Sequence, residues 1–73
     1  MSENFSERLK ALRAAKKVTQ QEVANGLGCA LVVYQRYEMG KRKPAFDQLI
    51  ALADFFNVSL DYLVGRSDDP ERR

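Results

Sequence analysis

Residues 19–44 run Thr19-Gln20-Gln21-Glu22-Val23-Ala24-Asn25-Gly26-Leu27-Gly28-Cys29-Ala30-Leu31-Val32-Val33-Tyr34-Gln35-Arg36-Tyr37-Glu38-Met39-Gly40-Lys41-Arg42-Lys43-Pro44, and the reading of this stretch decides the fold. Thr19 and Glu22 stand at the spacing of a capping box, in which each side chain satisfies the other residue's backbone N–H. Val23, Ala24 and Leu27 supply an apolar stripe, and Gly28 is placed to end a helix in the left-handed conformation, which predicts a short helix over residues 20–27. Gly26 inside it costs about 1 kcal/mol relative to alanine. A second helical stretch runs from Leu31 to Met39, is closed by Gly40, and is followed by the basic turn Lys41-Arg42-Lys43-Pro44, where proline forbids continuation. Only Gly28-Cys29-Ala30 separates the two helices. A glycine-containing turn this tight suits two helices that cross steeply, which is helix-turn-helix geometry.

Upstream, Phe5, Leu9, Leu12 and Ala15 recur on one face of a helix over residues 5–16, with Asn4 and Glu7 at capping-box spacing. Downstream, Phe46, Leu49, Ile50, Ala53 and Phe56 space out a fourth helix that Asn57 can stop, and Ser59 caps a very short fifth through Leu60 and Leu63 up to Gly65. Phe46, Leu49, Ile50, Phe55, Phe56 and Val58 read as core, since apolar stripes at helical spacing pack. The Val32-Val33 pair is too short to make a strand. The expectation is an all-α unit of five helices over residues 4–65, with a polar, loose tail over residues 66–73 that contains Asp68-Asp69-Pro70.

Seventy-three residues leave room for one small domain, and a composition 45% hydrophobic and 30% charged is that of a chain that folds. The longest apolar run, Cys29 to Tyr34, falls far short of the roughly 20 residues a bilayer crossing needs, so no membrane association and a cytoplasmic location are expected. One cysteine makes no intramolecular disulfide, and without histidine the chain lacks the usual zinc ligand sets and the commonest general base. Neither a metal nor another cofactor is expected, and no enzymatic activity. The net charge of +2 hides an asymmetry: residues 8–43 carry nine Lys and Arg against only Glu22 and Glu38, while residues 44–73 carry more acids than bases. The basic portion is where a polyanion would bind.

The segments Thr19 to Ala24, Leu27-Gly28, Tyr34 to Pro44 and Leu52 to Gly65, in this order and nearly without gaps, resemble the Cro and phage-repressor helix-turn-helix family. The resemblance covers about residues 5–65. It implies a five-helix DNA-binding domain whose helix two opens against the DNA backbone and whose helix three enters the major groove. It further implies a dimer contact in the helix-five region, here Leu60, Tyr62 and Val64, and an ion pair between Arg13 and Glu38 that bridges helix one to the end of helix three. Cys29 stands where the family commonly has valine or isoleucine and reads as a buried, unreactive thiol.

At 100° per residue, Val33, Tyr34 and Tyr37 of helix three face inward, and Leu31, Val32, Gln35, Arg36 and Met39 face outward. The guanidinium of Arg36 suits guanine O6 and N7, and Leu31, Val32 and Gln35 complete a base-reading set. Leu31 and Val32 occupy places that are usually polar in the family. They touch thymine methyl groups, cover another part of the protein or a partner surface, or mark a helix whose base reading is degraded, and all of these readings stand at this point. Gln20, at the positive end of helix two, points to a phosphate oxygen, and Lys41, Arg42 and Lys43 to phosphates that set register without reading sequence. The function these features outline is that of a transcriptional repressor bound as a homodimer to a palindromic operator in double-stranded DNA. The alternatives are a protein-interaction module on the same scaffold, partnered through Leu31, Val32 and Met39, and an antitoxin or restriction-modification controller.

Overall fold

A computed structural model describes residues 5–66 and 69–71. Five helices follow one another: α1 (Phe5–Lys16), α2 (Gln20–Leu27), α3 (Leu31–Glu38), α4 (Phe46–Phe56) and α5 (Leu60–Leu63). No strand occurs among the described residues, so the all-α expectation holds. Asn4 of the expected first capping box lies outside the described residues.

Local chemistry sets the helix limits. The Thr19 hydroxyl accepts from Glu22 N–H at 3.1 Å, and the Glu22 carboxylate accepts from Thr19 N–H at 2.8 Å, so the box at the start of α2 is closed on both sides. At the other end Gly28 adopts φ 71°, a conformation that carries a steric penalty for any residue with a Cβ, and Cys29 N–H returns to the Ala24 carbonyl at 3.0 Å. Asn57 ends α4 in the same left-handed region, and the Ser59 hydroxyl caps α5 by accepting from Tyr62 N–H. α3 is one residue shorter than its sequence predicts: it ends at Glu38, with Met39 as the capping residue and Gly40 turning the chain at φ 72°.

The helices enclose a core of Leu9, Val23, Ala24, Leu27, Tyr34, Tyr37, Leu52, Ala53, Phe56, Val58 and Leu63. Leu9, Val23, Tyr34, Leu52 and Leu63 are the largest side chains fully withdrawn from solvent, each contributing about 1.5–3 kcal/mol of burial free energy. Tyr34 and Tyr37 meet edge to face, with ring centroids 6.4 Å apart.

Two expectations about the core fail for geometric reasons. Phe46 is 70% exposed and Ile50 39% exposed, although both were read as core. The inward stripe of α4 is Leu49, Leu52, Ala53 and Phe56, and at 100° per residue Phe46 and Ile50 fall to one side of it. Ala15 of α1 is likewise exposed, while Val18, beyond the turn at Lys17, packs against the core in its stead. On the same helix Arg8 is 4% exposed: its Nη1 donates to the Tyr62 carbonyl at 2.8 Å, and its guanidinium lies 4.1 Å from the centre of the Tyr62 ring. That contact ties α1 to α5 and combines a charge-assisted hydrogen bond with a cation–π interaction.

Gly26, which carries a propensity cost within α2, is explained by packing. A Cβ built there would come within 2.5 Å of the Phe55 ring, so the glycine lets α4 approach α2. The described part of the C-terminal segment returns to α5, where Ser59 N–H donates to the Pro70 carbonyl at 3.0 Å.

Candidate nucleic-acid interface

The site is built from the bottom up on Glu38, the last residue of α3. Glu38 is 3% exposed, and its carboxylate accepts four hydrogen bonds. Arg13 of α1 approaches as a fork, Nε to Oε2 at 2.7 Å and Nη2 to Oε1 at 3.3 Å. The Tyr34 hydroxyl, one turn earlier on α3, donates to Oε2, and Gln20 Nε2 at the start of α2 donates to Oε1 at 3.1 Å. Burial opposes the charge on Glu38, but the hydrogen bonds from Arg13, Tyr34 and Gln20 outweigh it and hold the carboxyl below its ordinary range. Burial, and then the bond to Glu38, push the Tyr34 hydroxyl well above its ordinary value. The Arg13 side chain is 28% exposed and that of Glu38 only 4%, so the pair runs from the surface into the fold. It fixes α1, α2 and the end of α3 against one another, a role the low worth of surface ion pairs would not predict.

The face of α3 directed away from this anchor is open. Val32 is 49% exposed and Met39 57%, Arg36 is exposed, and Leu31 and Gln35 are partly covered. Val33, Tyr34 and Tyr37 turn inward. Ala30 precedes α3 without a side-chain cap, which leaves the backbone N–H groups of its first turn without that partner. Lys41, Arg42 and Lys43 follow directly and are all exposed, with Lys41 N–H held on the Arg36 carbonyl at 3.0 Å. The cationic turn is thus pinned to the last turn of α3 rather than hanging from it.

Gln20 behaves differently from a free phosphate ligand. Besides its bond to Glu38, its Oε1 accepts from Gln35 Nε2 at 3.3 Å, joining the start of α2 to the open side of α3. Sequence reading missed this link and the Tyr34–Glu38 bond. The Tyr34–Glu38 spacing of four carried a signal for the second; nothing local signalled the first. Cys29 is half-buried, with burial raising its thiol pKa, and packs against the core.

On α5, Leu60 and Val64 are exposed at 36% and 38%, whereas Tyr62 is half-buried under Arg8. The three residues grouped by the sequence therefore do not share one surface equally. Val64 also lines an apolar hollow with Phe5, Lys43, Pro44 and Leu49. No cluster of potential metal ligands exists among the described residues, and no described helix is long and apolar enough to cross a membrane.

Five helices with this anchored pair at their centre define a helix-turn-helix domain. The family model described as helix-turn-helix matches residues 9–63. The chain is 46% identical over 66 residues to an uncharacterized HTH-type transcriptional regulator of Bacillus subtilis, YqaE, covering 89% of this chain and 57% of that protein. It is 38% identical over 62 residues to the cryptic phage CTXphi transcriptional repressor RstR of Vibrio cholerae, covering 85% of this chain and 55% of that one. The crystal structure of the P22 c2 repressor in complex with a synthetic operator superposes with a TM-score of 0.83 at 26% identity, covering 89% of this chain and 98% of that one. The chain belongs to the Cro and phage-repressor helix-turn-helix family, which is a family of DNA-binding regulators and not of enzymes. It spans a little over half the length of the curated relatives it matches.

Proposed function

We propose that this domain binds operator DNA as a homodimer and represses transcription, with α3 in the major groove. The observation that carries the reading is the open face of α3, where Arg36 and Val32 stand exposed beside Leu31 and Gln35, next to a cationic turn pinned to the same helix. Arg36 donates to guanine O6 and N7, and Leu31 and Val32 meet thymine methyl groups. Lys41, Arg42 and Lys43 hold phosphates, and Gln20 reaches one with the N–H it does not spend on Glu38. The P22 c2 repressor, of similar fold, was crystallised on an operator, which favours the same partner here.

One short recognition helix reads few base pairs, so a two-fold pair reading half-sites about 34 Å apart supplies the missing specificity. Leu60 and Val64 are exposed, and Val64 lines a hollow with Phe5, Lys43, Pro44 and Leu49; together they offer the second copy an apolar contact. Selection from a random DNA pool tests the proposal: the expected product is a palindrome with thymine and guanine in each half-site. An asymmetric site bound by one copy would remove the dimer from the account. The reading of α3 as a protein-docking surface rests on the exposure of Val32 and Met39, and it gains if Leu31→Glu abolishes a protein contact while DNA binding shows no sequence preference.

A further inference from the structure

The amides of Gln20 and Gln35 form a directed chain that begins at Glu38. An ionised carboxylate only accepts hydrogen bonds, so the end of the Gln20 amide that faces Glu38 must be its NH2 group, as the 3.1 Å contact from Nε2 to Oε1 has it. The carbonyl oxygen of the same amide must then point away from Glu38. It accepts from Gln35 Nε2 at 3.3 Å. The polarity set by a buried charge thus passes through Gln20 to a side chain on the open side of α3. The carboxylate cannot turn to reverse it, because Arg13 grips both of its oxygens and the Tyr34 hydroxyl donates to one of them.

A primary amide owns two N–H donors and one carbonyl acceptor. With one N–H given to Gln20, Gln35 keeps one donor and one acceptor for whatever lies outside. Adenine offers the complement in the major groove, an acceptor at N7 and a donor at N6, whereas guanine offers two acceptors, N7 and O6. Untethered, a glutamine can turn its amide over and spend both N–H groups on guanine. Tethered to Gln20, it has no second N–H to give, and its carbonyl would face an acceptor unpaired.

We infer that Glu38, acting through Gln20, fixes Gln35 as a reader of adenine. The inference rests on the placement of α3 in the major groove. Gln35 is the residue that touches the base, and Gln20 and Glu38 are positioning residues.

The test compares binding sites selected from a random DNA pool by the unaltered protein and by Gln35→Ala, and then measures affinities for duplexes that differ at the position whose preference Gln35→Ala erases. Adenine is expected there, favoured over guanine by about tenfold or more. Replacing that adenine by 7-deazaadenine, which lacks the N7 acceptor, removes most of the preference and leaves Gln35→Ala unaffected. Gln20→Leu, checked for an unchanged fold by its thermal unfolding and paired with Gln20→Met as a second variant, brings the adenine-to-guanine ratio close to one while Gln35 is still present. Any general loss of phosphate contact cancels in that ratio. The inference is overturned if Gln35→Ala erases no position, if the erased position prefers guanine, or if both Gln20 variants keep the full ratio. A protein that selects no sequence at all overturns instead the reading of α3 on which the inference stands.

Discussion

Arg13 and Glu38 are joined by two parallel hydrogen bonds between α1 and the last residue of α3, and the carboxylate they hold is almost wholly buried. Bidentate geometry in a desolvated setting makes this pair an anchor for the recognition helix. Removing one partner leaves the other groups unpaired in the interior. Glu38→Ala is expected to cost about 3 kcal/mol in urea unfolding, several times what an exposed pair contributes.

The same pair makes stability depend on pH. The folded state holds Glu38 below its ordinary range, so the unfolded chain binds a proton more readily in acid. The contribution is complete above the ordinary carboxylate pKa of about 4.3 and is lost as pH falls through the lowered value of the folded state. Unfolding midpoints taken from neutral to acid pH should fall less steeply in Glu38→Gln than in the unaltered protein. At the alkaline end Tyr34, raised by burial and by Glu38, contributes stability that is complete below the ordinary tyrosine pKa of about 10 and declines above it. Tyr34→Phe removes that decline.

Gly26 and Gly28 separate two kinds of glycine requirement. Helix propensity alone makes Gly26→Ala stabilising by about 1 kcal/mol, but the added methyl would press on the Phe55 ring. The expected outcome is a net loss of about 1–2 kcal/mol in unfolding free energy, relieved by the double change with Phe55→Leu. Gly28→Ala meets no neighbour, yet its positive φ costs about 1 kcal/mol, which Gly28→Asn partly recovers.

Lys41, Arg42 and Lys43 are exposed on the turn that follows α3. Alanine at each should weaken binding to every DNA sequence by a similar factor and flatten the dependence of log affinity on log salt by about 0.9 per lost phosphate contact. Arg36→Ala should instead relax the preference at one base position. Titrations of a selected and a scrambled duplex at several salt concentrations distinguish the two effects.

The proposed dimer contact is apolar and exposed at Leu60 and Val64. Leu60→Asp or Val64→Asp should leave the fold intact and halve the mass seen by sedimentation equilibrium. Affinity for a palindrome should fall toward that for a single half-site.

Features decided by neighbours along the chain were legible in the residues alone. Thr19 and Glu22 closed the box expected of them, and Gly28 and Asn57 ended their helices in the left-handed region because each helix carries its own stop signal. Periodicity separated Tyr34 and Tyr37 from Val32 and Arg36 on α3 correctly. It grouped Phe46 and Ile50 with Leu49 and passed over the fully buried Leu52, since every one of them is apolar and only the packing of the other helices decides which side is covered. Gly26 looked like a weakness because its reason, the Phe55 ring, lies on another helix. At the site, the pairing of Arg13 with Glu38 followed from resemblance alone, and its depth did not. The bond from Gln35 to Gln20 has no local signature, because both residues are ordinary at their positions until α2 and α3 cross.

The central claim is that the open face of α3 reads sequence. The most direct measurement is the ratio of affinities for the duplex selected from a random pool and for its scrambled counterpart, taken at several salt concentrations. A ratio of at least about 10³ that persists as salt rises is the result this account predicts. Equal binding to both duplexes with a steep salt slope would contradict it, leaving only the phosphate contacts of Gln20, Lys41, Arg42 and Lys43.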